Sequence, residues 1–427
     1  MTESDIRRIN HILYTSFRQF VISPHSLWVC YLLYAARTIK SIVQFRFRCG
    51  KLKKVLFVVP SANNKKAVRG IVENLDDEDV TIWGDLNRDL PWGWIYLRSW
   101  LRMSSFQRLY RNSDAEDRRL MRQYYGSFMS TSGLYRTFEK ILKEREGAEL
   151  IVFANDHTTV CRCLAEVAER QGRKTLYVQH ASVTERFPPL RFTYSFLDGR
   201  ESLEKYQKAG KVEGCVFLSG SPRFDDIAKI EKREKVYDVG IALNLMDNKE
   251  RVLELCRYIA AHYSRNIVVR PHPRMKWDLA EFVKDGYAIS DSKTESSISF
   301  LSRVRVMIAN ESGIHLDAAL MEVPSALYNF RDSEILDWYS YIKNGLIKVL
   351  RTKEEAVETL RDGISMSEGN VRLYNAAFHT KYDGKVGRIV AEFIKKETEE
   401  GTGLEYMKGI MVFNQKIYYY KTNESCG

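Results

Sequence analysis

Between Asp5 and Glu73 the sequence contains no acidic residue, while basic side chains from Arg7 to Arg69 fill the same window. The formal net charge of +11 is therefore concentrated at the N-terminal end, which makes a cationic surface. No CxxC spacing occurs among the seven cysteines (Cys30, Cys49, Cys161, Cys163, Cys215, Cys256 and Cys426), so zinc is not expected and they read as reduced thiols of a cytosolic protein. Asp5, Arg7 and Arg8 are followed by no clean apolar core, and no cleavable signal peptide is expected. The apolar stretch at 27–36 falls short of the roughly 20 residues that a bilayer span needs. Despite the charge there is no helix-turn-helix, zinc-finger or RNA-recognition signature, so nucleic acid is not an expected partner. Low complexity is confined to Tyr418-Tyr419-Tyr420-Lys421, and there is no internal repeat.

What is present is a long alternation of strand and helix signals. At 427 residues and 44% hydrophobic content the chain calls for two domains and excludes wholesale disorder. Apolar runs at 54–59, 150–154, 175–179, 194–197 and 216–219 alternate with helical patterns at 65–75, 158–171 and 201–209. A charged stretch at 229–235 reads as an interdomain linker or linker helix. The alternation then restarts, with strands at 239–243, 267–270, 287–289, 304–309 and 325–327 and helices at 249–262, 277–284, 295–301 and 314–320. Two successive βαβ series predict an α/β protein of two Rossmann-like domains facing a central cleft. The expected divisions are a basic, aromatic segment at 1–53, a first domain at 54–228, a second at 236–400 and a tail at 401–427.

Aromatic and aliphatic residues interleave with the N-terminal cations, among them Phe17, Phe20, Trp28, Tyr31, Tyr34 and Phe45. One reading is an interfacial helix lying on anionic lipid; the other is a helix packed on the domain with a solvated basic face. A second such cluster runs from Pro91 to Arg111. Its composition suits base stacking, a lipid interface or an anionic acceptor, and equally a core helix with arginines outside.

Two strand ends in the second series carry chemistry. Ile267-Val268-Val269 is a buried-strand run that ends in Arg270-Pro271-His272-Pro273, cations on a backbone braced by prolines. The run at 304–309 ends in Asn310-Glu311-Ser312-Gly313 and opens into a helix at Ile314, where hydroxyl and backbone donors meet. Side by side in a parallel sheet, such ends form a pocket for nucleotide phosphates.

Four motifs in this order resemble the CDP-glycerol glycerophosphotransferases of teichoic acid synthesis and related capsule-polymer transferases, within the GT-B glycosyltransferase superfamily. Gln179-His180-Ala181 stands in the place of their His-Gly, and Gly220-Ser221-Pro222-Arg223-Phe224-Asp225 matches their Gly-x-Pro-Arg-x-Asp. Arg270-Pro271-His272 matches Arg-Pro-His, and Ser312-Gly313 with Leu316-Asp317 stands for Ser-Ser followed by Phe-Asp. The Arg-Pro-His-Pro stretch also resembles the His-Pro motif of CMP-sugar transferases, and the Ser-Gly turn is similar to that of UDP-N-acetylglucosamine 2-epimerases. The resemblance covers roughly residues 150–330. It implies a donor nucleotide in the C-terminal half and an acceptor against the N-terminal half.

Transfer from a nucleotide-activated donor needs a base for the acceptor hydroxyl and cations for the leaving phosphate. His180 is the expected base, with Asp156 as its competitor and His157 on the same turn; their plain counterparts are a strand-end histidine and a helix N-cap. Arg270 and His272 are placed on donor phosphate, His272 also among the catalytic groups, with Ser312 and Gly313 beside them. Glu311 is read as an acceptor for ribose or base, and Asp317 as holding ribose hydroxyls or completing a structural hydrogen bond. Arg223 either reaches in from the interdomain segment or pairs with Asp225 or Asp226. No cluster in these motifs points to a metal, so neither a cofactor nor an essential metal is expected. The expected protein is a transferase of bacterial surface-polymer synthesis (capsule, teichoic-acid-like or lipopolysaccharide). It takes a CDP- or CMP-linked donor and a glycan or lipid-linked acceptor, in the cytoplasm, with peripheral contact to an anionic inner membrane face. The alternatives are a UDP-sugar transferase or 2-epimerase of the same fold, and a nucleotide-binding scaffold without catalysis.

Overall fold

The structure is a computed structural model that describes residues 1–21, 25–44, 50–230, 234–411 and 419–421. Phe45, Cys49, Tyr418, Cys426 and the 231–233 part of the expected linker lie outside the described residues. The chain divides into two compact units, Met1–Arg223 with Lys385–Gly427, and Phe224–Gly384.

The first unit holds β1 (Val55–Val58), β2 (Val80–Trp83), β3 (Leu150–Phe153), β4 (Lys174–Val178), β5 (Arg191–Leu197) and β6 (Glu213–Leu218). They lie in the order β6-β5-β4-β3-β1-β2, all parallel. β1 and β3 are buried at every residue, because helices cover both faces of a parallel sheet, and such strands read as continuous apolar runs. β2 is an edge strand with only Trp83 buried, which is why no apolar run announces it. The strand order reverses between β1 and β3, so this sheet has its topological switch point there.

The second unit holds β7 (Tyr237–Ala242), β8 (Ile267–Arg270), β9 (Ala288–Ile289), β10 (Val304–Ala309), β11 (Ser325–Tyr328) and β12 (Lys348–Leu350). Their order, β12-β11-β10-β7-β8-β9, is that of a dinucleotide-binding sheet, with its switch point between β7 and β10. The helix Lys249–His262 presents Val252, Cys256 and Ile259 to Ile241, Val269 and Ile308 of the strands, which fixes the core on that face.

Two expected boundaries are corrected. The helix Val386–Glu399, placed by sequence in the second domain, belongs to the first unit. Phe393 packs its ring on Tyr194, Phe196 and Phe217 of β5 and β6, and Glu397 accepts from Tyr194 Oη at 2.7 Å and from Lys174 Nζ at 2.5 Å. The expected tail continues this return: β13 (Tyr419–Lys421) pairs antiparallel with β6. Nor is the 1–53 segment separate. Helix Glu3–Ile9 buries Ile6 and Ile9, Arg7 pairs with Asp117 at 2.8 Å, and Asn10 donates to Thr131 Oγ1 at 3.0 Å. Helix Leu27–Val43 buries Cys30, Tyr34 and Thr38 against a layer that includes helices Trp92–Trp100, Met103–Asn112 and Tyr125–Glu144. Among the described residues, five cysteines are free and buried, and no helix is long and apolar enough to cross a membrane.

Candidate active site

In the first unit the chain leaves β3, at the switch point, through Asn155-Asp156-His157. Asn155 Oδ1 accepts from the backbone N–H groups of His157 (3.2 Å) and Thr158 (2.9 Å), an Asx turn that starts the helix Thr159–Arg170. The helix itself has Thr158 at its N-cap with no side-chain cap hydrogen bond, so Asn155 holds the turn before it and the Asp156 side chain takes no part in a cap. Asp156 is buried instead, with Oδ1 3.0 Å from His157 Nδ1 and Oδ2 accepting from Tyr206 Oη at 2.5 Å. Tyr206, on helix Arg200–Ala209, also bonds Tyr177 Oη of β4 at 3.2 Å. Burial alone would raise the Asp156 pKa, but the hydrogen bonds from His157 and Tyr206 and the neighbouring imidazoles outweigh it and hold the carboxyl below its ordinary value. An ionised Asp156 accepts the Nδ1–H of His157. That leaves the lone pair on Nε2 of a partly exposed ring, 3.5 Å from Asn155 Nδ2.

His180 follows β4 one residue later. Gln179 locks its turn, accepting from Asp198 N (2.9 Å) and donating to Ala181 O and Ser202 Oγ (both 2.9 Å). The His157 ring has its centroid 5.4 Å from that of His180 and 4.9 Å from that of Phe187. Burial lowers the His180 pKa to about 4 against the opposing pull of Asp156, so the imidazole is neutral at pH 7. Its Nδ1 is buried with no hydrogen-bond partner among the described residues. Arg223 donates to Asp198 Oδ2 at 2.6 Å and to the His180 carbonyl at 3.5 Å, so it ties the backbone of that turn to a buried carboxylate.

In the second unit the switch point is fastened by amides. Asn244 donates to Glu311 O at 3.0 Å, and Asn310 donates to Asp247 Oδ1 at 2.8 Å. Buried His315 has Nε2 3.1 Å from Asn310 O and Nδ1 3.1 Å from Ser325 Oγ, and burial lowers its pKa to about 4. Glu311 accepts from Trp338 N (2.6 Å), Leu336 N (3.2 Å) and Arg331 Nη2 (3.4 Å), so it braces the 331–338 loop where a ribose contact was expected. Arg270 is buried, donating to Ser290 Oγ (2.8 Å) and Glu295 O (2.7 Å) beneath the Phe300 ring, and it anchors the end of β8 where a phosphate contact was expected. His272 is different. It is half-buried, and its Nδ1 accepts from Arg274 N at 3.2 Å, which leaves Nε2–H as a donor. Ser312 Oγ accepts from Ile314 N at 3.5 Å, Gly313 is exposed with open space where a Cβ would stand, and Asp317 accepts from Ser297 Oγ at 3.2 Å.

The structure thus joins Asp156, His157, His180 and Arg223 in one cluster of the first unit. His272, Ser312 and Gly313 stand at the ends of β8 and β10 in the second, whereas Arg270, Glu311 and Asp317 are engaged in bracing. Sequence reasoning missed Tyr206, Tyr177, Asp198, Asn244, Asp247 and His315. Each meets its partner only through the fold, and a tyrosine in a helix reads as packing. Among the described residues, no group of three His, Cys, Asp or Glu side chains is arranged to hold a metal ion.

No protein-family model matches the chain, and no curated protein matches it in sequence. Solved structures match in fold. The UDP-GlcNAc 2-epimerase of Methanocaldococcus jannaschii is 15% identical with a TM-score of 0.50, covering 80% of this chain and 99% of that one. The UDP-GlcNAc 2-epimerase of Neisseria meningitidis bound to UDP-GlcNAc is 11% identical with a TM-score of 0.50, covering 79% and 98%. A wall teichoic acid polymerase is 11% identical with a TM-score of 0.43, covering 88% and 99%. The likeness is one of architecture, and this chain has the two-unit α/β GT-B fold.

Proposed function

We propose that the protein transfers a glycosyl or glycerophosphoryl group from a cytidine-linked donor to a hydroxyl of a growing bacterial surface polymer. The observation that carries the reading is the Asp156–His157 pair at the switch point of the first unit: an imidazole held in one tautomer by a buried carboxylate, with its lone pair on Nε2, 3.5 Å from Asn155 Nδ2. In the reaction, His157 Nε2 takes the proton of the acceptor hydroxyl as its oxygen attacks the donor, and Asp156 stabilises the imidazolium that forms. The nucleotide leaves as its phosphate anion. Within the second unit, His272 Nε2–H and the Ser312 hydroxyl are the donors proposed for a nucleotide phosphate; within the first, neutral His180 stands beside His157. The cytidine preference rests on the motif order from Gln179-His180 to Ser312-Gly313.

Thermal stabilisation by CMP, CDP, UDP, GDP and ADP tests the donor, since a ligand of the native state raises its melting temperature by mass action. Cytidine nucleotides are expected to stabilise the wild type, and His272→Ala to weaken the effect by about tenfold in apparent affinity. A shift with uridine nucleotides alone would move the assignment to a UDP-sugar transferase or a 2-epimerase. No shift with any nucleotide would overturn the reading.

A further inference from the structure

Helix Leu27–Val43 is built the opposite way round from an ordinary surface helix. The stripe it turns inward is narrow and partly polar: Cys30, Tyr34 and Thr38, at i, i+4 and i+8. Tyr34 meets Tyr96 at 5.2 Å and Trp100 at 5.6 Å, and Trp100 Nε1 donates to Thr38 Oγ1 at 3.0 Å. At 100° per residue, positions 28, 32, 36, 39 and 43 form the opposite ridge, and they are Trp28, Leu32, Ala36, Ile39 and Val43. Trp28 is 79% exposed, Leu32 69% and Val43 78%. The ridge runs about 22 Å along the helix axis. The neighbouring helix Trp92–Trp100, whose Gly93 lies against Ser41 and Ile42, adds exposed Trp94 and Leu97, and Leu101 beyond it is 83% exposed. Scattered exposed apolar residues are normal, but an apolar ridge along the outward side of a helix marks a contact surface.

Charge identifies the occupant. Helix Leu27–Val43 has no acidic residue, and exposed Lys40 flanks the ridge. Beside Leu101 a groove of about 510 Å³ is lined by Arg98, Arg102, Arg136, Lys140 and Lys143 against only Glu139 and Glu144. A second copy would set like charges against each other, whereas an anionic lipid surface complements them. Indole rings, aliphatic side chains and flanking cations together are what an interfacial helix offers to a bilayer. We infer that the outward ridge of helix Leu27–Val43, with Trp94, Leu97 and Leu101, lies in the headgroup layer of an anionic membrane and holds the protein there peripherally. This goes beyond the donor chemistry and does not depend on it.

The test is sedimentation of the full chain with phosphatidylcholine vesicles, with and without phosphatidylglycerol, for the wild type and for Leu32→Glu/Ile39→Glu. Binding is expected to anionic vesicles and to weaken with salt, and the double variant to lose at least ~10-fold in affinity with unchanged nucleotide-induced stabilisation. Trp28 supplies a second readout that needs no disruptive change: the difference between wild-type and Trp28→Phe emission is expected to shift to the blue on anionic vesicles. Failure of the wild type to bind, equal binding by the double variant, or no spectral shift would each overturn the inference. A lipid-free dimer that the double variant abolishes would overturn it in favour of a second copy of the chain.

Discussion

Asp156 gives both carboxylate oxygens to neighbours inside the protein, so in the proposed reaction it acts through the imidazole of His157. The sequence already showed an Asp and a His on one strand-to-helix turn. What it did not show was the division of labour, because Asn155 holds the turn and Tyr206 arrives from 50 residues away. Arg270 teaches the same lesson in reverse: its position at a strand end was legible, but its partners Ser290 and Glu295 lie beyond the motif and each take one of its N–H groups. Buried neutral histidines also leave a mark on stability. For His315 the folded pKa of about 4 lies below the ordinary 6.5, so on acidification the unfolded chain takes up its proton first. The stability contributed is fully present above about pH 6.5 and is lost as pH falls towards 4, on the order of 3 kcal/mol for this group. Burial lowers the His180 pKa in the same direction. Denaturant unfolding at several pH values should therefore give a shallower acid loss for His315→Gln than for the wild type; parallel curves would show that His315 is not the group responsible.

Elements differ in how openly they announce themselves. β8 falls where its β-branched run predicts, since a strand buried at every residue carries no polar alternation to blur it, and β10 does so although Arg305 interrupts its run and is exposed. The return of helix Val386–Glu399 to the first unit was not legible, because an amphipathic helix does not name the sheet that receives it. Its contacts do: Phe393 stands within 5.5 Å, ring to ring, of aromatic residues on β5 and β6. Phe393→Ala should cost about 3–5 kcal/mol. The same change should strip amide-exchange protection from β5 and β6 while leaving β7, β8 and β10 protected. Loss of protection in the second unit instead would contradict the assignment of this helix.

At the scale of the whole molecule, each unit has its candidate residues at the switch point of its own sheet: Asp156 and His157 after β3, and Asn310 to Gly313 after β10. The alternating strands and helices made that architecture readable in advance. The acid-free N-terminal stretch made a cationic surface readable too, though only the fold revealed which side of helix Leu27–Val43 is left outward. The most direct test of the proposed function is the rate of nucleotide release from a cytidine-linked donor in the presence of acceptor, compared for the wild type, His157→Gln and Asp156→Asn. Both variants should lose about 10²–10⁴-fold in kcat while nucleotides still raise their melting temperatures as in the wild type. Wild-type turnover by His157→Gln would contradict the assignment of His157 as the base.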